Sequence, residues 1–109
     1  MANPTTLTKV TSINVKACDN ELYLVASTPS GTSELLHMTS GYNAPVSYVV
    51  NPANVLPEGT YMLSMIGINW GGPAAFTVVV TSSIGQTTFS GTPTGVGAVW
   101  AENVTITVT

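Results

Sequence analysis

The sequence predicts an all-β protein: one antiparallel β-sandwich, jelly-roll-like in its path, with seven or eight short strands in a single domain over residues 1–109. Three observations predict it. The apolar runs are short and rich in Val, Ile, Thr and Tyr, which suit a pleated, half-buried surface. Seven prolines punctuate them (Pro4, Pro29, Pro45, Pro52, Pro57, Pro73 and Pro93), nearly all beside Gly, Ser, Asn or Thr. Proline cannot donate to a strand ladder, so it marks turns and strand ends. No segment carries a sustained apolar period of about 3.6 residues, the mark of a surface helix.

The strands follow in order. Residues 6–17 form the first, with a change of phase inside it: Leu7, Ile13, Val15 and Ala17 are odd-numbered, Val10 even. A bulge or break near Thr11-Ser12 accounts for this. Residues 21–28 form the second, closed by the turn Pro29-Ser30-Gly31-Thr32. Strands over 34–39 and 46–50 come next. The loop Asn51-Pro52-Ala53-Asn54 leads through Pro57-Glu58-Gly59 into the strongest strand, 60–69. Gly71-Gly72-Pro73 turns that strand into 75–82 as a hairpin, Ile84-Gly85 turns again into 86–90, and 98–108 closes the domain.

Alternation along a strand says what each face meets. In the last strand Trp100, Val104, Ile106 and Val108 point one way, and Asn103, Thr105, Thr107 and Thr109 the other. That places Trp100 in the core. The 60–69 strand is apolar on both sides: Tyr61, Leu63 and Met65 on one, Met62, Ile66 and Ile68 on the other. An antiparallel strand apolar on both faces needs cover on both. The second cover is expected from another copy, which makes a closed homo-oligomer with Met62, Ile66 or Ile68 near the interface.

Composition excludes several classes. Charged residues make up 6% of the chain, against roughly 25% in an average soluble protein. In their place stand Thr, Ser, Asn and Gly. Two lysines and no arginine cannot form the basic patch that nucleic acid requires. The combination of high hydrophobicity and low charge is the reverse of disorder. A single cysteine, Cys18, rules out an intrachain disulfide and reads as a small buried hydrophobe. The start Met1-Ala2-Asn3-Pro4 carries no basic or apolar region of a signal peptide. No apolar run is long enough to span a bilayer as a helix. No membrane insertion is expected, and an extracellular or virion-associated location stays open.

Two segments carry a family likeness. Pro57-Glu58-Gly59-Thr60-Tyr61-Met62-Leu63-Ser64-Met65, with Gly71-Gly72-Pro73-Ala74-Ala75-Phe76-Thr77-Val78-Val79-Val80 after it, resembles the central hairpin of jelly-roll, galactose-binding-domain-like carbohydrate-binding modules. Gly97-Ala98-Val99-Trp100-Ala101-Glu102-Asn103-Val104-Thr105-Ile106 resembles their closing strand, with Glu102 in place of the usual Asp. The likeness covers only the second half of the chain. It implies a β-sandwich, sugar binding through aromatic side chains, and a precedent for structural calcium.

The candidate site centres on Trp70. With Asn69 before it and Gly71-Gly72 after it, an exposed indole can stack on the apolar face of a sugar while the amide bonds hydroxyls. The glycines leave room for close approach. The competing reading packs Trp70 over the sandwich end or against a neighbouring subunit. Asp19-Asn20-Glu21 is an acidic turn that with Glu102 could ligate calcium, but no calcium-loop spacing surrounds it, and a plain solvated turn is expected. His37, the sole histidine, offers a thiol–imidazole pair with Cys18 and Asp19 only if the fold joins them, and no motif surrounds either residue. One histidine leaves no zinc set. Asn103-Val104-Thr105 matches a glycosylation sequon but lies mid-strand.

No metal, cofactor or catalytic group is expected. The leading expectation is a non-catalytic, lectin-like module that binds a glycan and strengthens it by oligomerising, since linked sites gain roughly 10²–10⁴ in avidity. The alternative is a structural sandwich subunit of a virion, fibre or surface appendage with no small ligand.

Overall fold

The computed structural model describes residues 6–41 and 46–109. The prolines at 4 and 45 lie outside that range. Among the described residues nine strands run in order: β1 Thr6–Leu7, β2 Ser12–Cys18, β3 Asn20–Thr28, β4 Gly31–Ser40, β5 Tyr48–Val50, β6 Gly59–Asn69, β7 Phe76–Ser82, β8 Gly85–Gly91 and β9 Gly97–Val108. One 3-10 turn, Pro52–Asn54, precedes β6. The strands make two sheets, β1-β9-β6-β3-β4 and β5-β2-β7-β8. All pairs are antiparallel except β1 with β9. The chain is an all-β sandwich.

The expected first strand is two strands in different sheets, which raises the count to nine. The hydrogen bonds show the transfer. Val10 N–H donates to Thr107 O (3.0 Å) beside β9, and the next residue, Thr11, donates to Thr81 O (2.9 Å) beside β7. The phase change in the sequence is therefore a change of sheet, and Leu7 and Val10 are both buried despite opposite parity. A second irregularity lies within β2, where the register with β7 shifts between Val15 and Ala17. That bulge turns Cys18 inward instead of Ala17, correcting the expected face.

Other boundaries move for physical reasons. Only Asp19 separates β2 from β3, so Asn20 and Glu21 belong to a strand rather than to an acidic turn. The β3–β4 hairpin closes on Thr28 and Gly31, which shortens the turn to Pro29-Ser30 and lengthens β4 to ten residues. β6 and β7 lie in different sheets, so the segment after Asn69 is an arch across the sandwich, not a hairpin tip. Only the hairpins β3–β4 and β7–β8 stay within a sheet.

The core sits between the sheets. Phe76 of β7 and Trp100 of β9 stack across it, with ring centroids 5.4 Å apart and planes within 3°. Two glycines admit them. A methyl at Gly67 would lie 2.8 Å from the Phe76 ring, and one at Gly91 would lie 2.7 Å from Trp100. Trp100 is thus a core residue, as its phase requires. The Tyr61, Leu63 and Met65 side of β6 faces inward. Its other side, with Met62, Ile66 and Ile68, lies on the outer face of the five-stranded sheet and is only partly covered.

Candidate functional site

The outer face of the five-stranded sheet carries one polar-aromatic cluster. Glu21 and Tyr23 are two apart on β3, so both side chains emerge on the same face. The register sets His37 of β4 opposite Tyr23, and Ile66 and Ile68 of β6 opposite Tyr23 and Glu21. Trp70 follows the last residue of β6 and folds back over that row. Its indole Nε1 donates to Glu21 Oε1 at 2.8 Å. The Tyr23 hydroxyl donates to Glu21 Oε2 at 3.2 Å, and His37 Nε2 meets the same oxygen. The Tyr23 and His37 rings are stacked, 4.0 Å between centroids and 9° between planes.

Glu21 is the hub. Its carboxylate gathers three side chains from three parts of the chain. The hydrogen bond with His37, then that from Trp70, hold the carboxyl below its ordinary value of 4.5. Desolvation, then the Glu21 charge, pushes the Tyr23 phenol up. The result is an exposed indole with a fixed orientation: Trp70 is 63% exposed, while its ring nitrogen and its backbone N–H are both tied, the latter to Asn20 Oδ1 at 2.8 Å.

The arch below Trp70 is held by Asn69. This side chain is 1% exposed. Its amide nitrogen donates to the carbonyls of Gly72 (2.9 Å) and Gly95 (2.6 Å), and its Oδ1 accepts from Gly71 N–H at 3.1 Å. The amide expected to bond sugar hydroxyls is thus committed to joining two loops. Gly71 and Gly72 stand at φ +153° and +78°, with open space around each. Glycine suits the positive φ at both positions, and no neighbouring atom of the chain crowds either one.

The remaining candidates separate. His37 pairs with Glu21, not with Cys18, whose thiol points to Met38 O at 3.7 Å. Burial, then the charges of Asp19 and Glu21, push that thiol up to about 12, so it is not poised as a nucleophile. Asp19 is buried, accepts from Asn20 through Oδ1, and has no partner for Oδ2 among the described residues. Glu102 lies on the inward row of β9, opposite Met65. Among the described residues no three His, Cys, Asp or Glu side chains gather as a metal-holding group, and Asp19, Glu21 and Glu102 make none. A shallow groove of about 320 Å³ lies between the β3–β4 turn and Val55-Leu56-Pro57. Its one aromatic, Tyr61, gives its hydroxyl to Pro57 O at 2.7 Å.

Sequence reasoning found Trp70 but missed Glu21, Tyr23 and His37 as its companions. The available signal was the two-residue spacing of Glu21 and Tyr23 in a predicted strand; the pairing of that strand with β4 and β6 was not readable. Comparison with family models, with curated proteins and with solved structures finds no match to this chain. Fold and site together define a β-sandwich with an aromatic, carboxylate-anchored cluster on one sheet face.

Proposed function

We propose that the protein is a non-catalytic carbohydrate-binding module and that the Trp70 face is its contact surface. The observation that carries this reading is the exposure of Trp70 together with its anchorage. A large aromatic that remains 63% exposed departs from the usual burial of indoles. Its orientation is set in advance by Glu21, so little ordering entropy is lost on binding. A sugar's C–H face stacks on the ring, and its hydroxyls find the polar groups of His37, Tyr23 and Glu21 nearby. An open sheet face favours an extended glycan over a small ligand that needs enclosure.

The test is Trp70→Ala, read by glycan array and thermal melting on the same sample. Loss of binding by at least about tenfold, worth 1.4 kcal/mol, with unchanged melting is expected. A native protein that binds no glycan on the array overturns the reading. A structural subunit without small ligand is the second reading. The partly exposed apolar row Met62, Ile66 and Ile68 beside Trp70 favours it, and Trp70→Ala then changes assembly rather than glycan binding.

A further inference from the structure

The geometry of the sheet edges points to a twofold dimer, formed by antiparallel pairing of β8 with β8 of a second copy. β8 lies at the end of its sheet, with β7 on one side only. Ser82 and Gly85 pair across a two-residue loop, Ser83-Ile84, so they are a hydrogen-bonded pair. Alternation along an antiparallel ladder then directs the backbone groups of Thr87, Phe89 and Gly91 to β7. Those of Gln86, Thr88 and Ser90 point to the free edge. Among the described residues none bonds them.

An open row of backbone donors and acceptors is a template for another strand, and proteins blunt it with Lys, Pro, bulges or covering segments. β4, the long edge of the other sheet, is blunted in this way: it carries Glu34 and His37, and its register with β3 shifts at Leu24/Val25. β1 has two residues and β5 three, too short to template a partner. Among the described residues β8 has none of these devices. Its seven residues, Gly-Gln-Thr-Thr-Phe-Ser-Gly, hold no charge and no proline, and pair with β7 without a register break.

The occupant is a second copy because the strand complements itself. With Thr88 on the twofold axis, Thr88 meets Thr88 of the other copy and Gln86 meets Ser90. All three side chains are exposed and uncharged. Threonine facing threonine across strands is a favourable pair, and no like charges oppose. The three facing pairs exchange about six backbone hydrogen bonds. The twofold closes the assembly, where pairing of β8 with the edge of a different strand would leave it open-ended. Because β8 and Trp70 belong to different sheets, the dimer leaves the Trp70 face free, and this inference stands whether or not that face binds sugar.

Thr88→Pro tests it. The Thr88 N–H points away from β7, so proline there removes no bond within the chain and suits an edge strand. Sedimentation at micromolar concentration is expected to show the native protein at twice its 11.3 kDa and Thr88→Pro at half the native mass, with unchanged circular dichroism. Thr88→Lys is expected to act alike, as a second variant in case proline disturbs folding. Amide hydrogen exchange adds a fingerprint: Gln86, Thr88 and Ser90 exchange slowly in the native protein, Gln86 and Ser90 exchange fast in both variants, and Thr87 and Phe89 stay slow throughout. A monomeric native protein overturns the inference, and so does an oligomer that survives both substitutions.

Discussion

Glu21 decides what Trp70 can do. Its lowered carboxyl value carries a sign. A carboxyl held below its unfolded value contributes stability that is present above that value and lost as pH falls through the folded one. The cluster is therefore intact at neutral pH and comes apart only below the ordinary glutamate range near 4.5. Trp70 is exposed and Trp100 is in the core, so an emission change on acidification reports Trp70; Glu21→Gln is expected to abolish that titration. Asp19 has the opposite sign. Burial raises its carboxyl, so its ionised form opposes folding, and the penalty is absent below its unfolded value of 3.8 and complete above the folded one. Asp19→Asn is expected to raise the melting temperature at pH 7 and to leave it unchanged below pH 3.8. Melting curves at both pH values check this.

At the level of elements, glycine placement governs how closely the sheets approach. Gly91 of β8 lies under the Trp100 ring and Gly67 of β6 under the Phe76 ring, and the two rings stack. Gly91→Ala or Gly67→Ala forces this pair apart and is expected to cost about 1–3 kcal/mol, as other overpacked cores do. For a domain of this size that lowers the melting temperature by about 4–8 °C per kcal/mol. Gly31→Ala is the control: nothing lies within 4 Å of its methyl, and its melting temperature is expected to stay at or slightly above the native value. The strands themselves were largely legible, because alternation and Pro/Gly punctuation are local. Partner strands were not. The break near Thr11-Ser12 was visible as a phase change, but only the bonds from Val10 to Thr107 and from Thr11 to Thr81 make it a change of sheet.

For the whole molecule, the two sheets have distinct outer surfaces. One carries the Trp70 cluster and the half-covered Met62, Ile66 and Ile68; the other ends in the unblunted edge β8. Ile66→Thr is expected to weaken glycan binding while leaving the mass in solution at the native value, since the proposed dimer pairs through β8. A chelator is expected to leave the melting temperature unchanged. A resident ion at a hundred to a thousand times its dissociation constant would add roughly 3–4 kcal/mol, a shift too large to miss.

Composition and periodicity by themselves determined the all-β class, the inward phase of Trp100 and of Tyr61-Leu63-Met65, and the place of Trp70 beside a glycine pair at a strand end. These rest on side-chain type and spacing, which are properties of the chain before it folds. The arch between β6 and β7, the burial of Asn69 and the gathering of His37, Tyr23 and Trp70 around Glu21 were decided only by the tertiary structure. Residues 21, 37 and 70 are brought together by strand register, and register is chosen by how the whole core packs: a one-residue slip would turn Glu21 inward and dissolve the cluster.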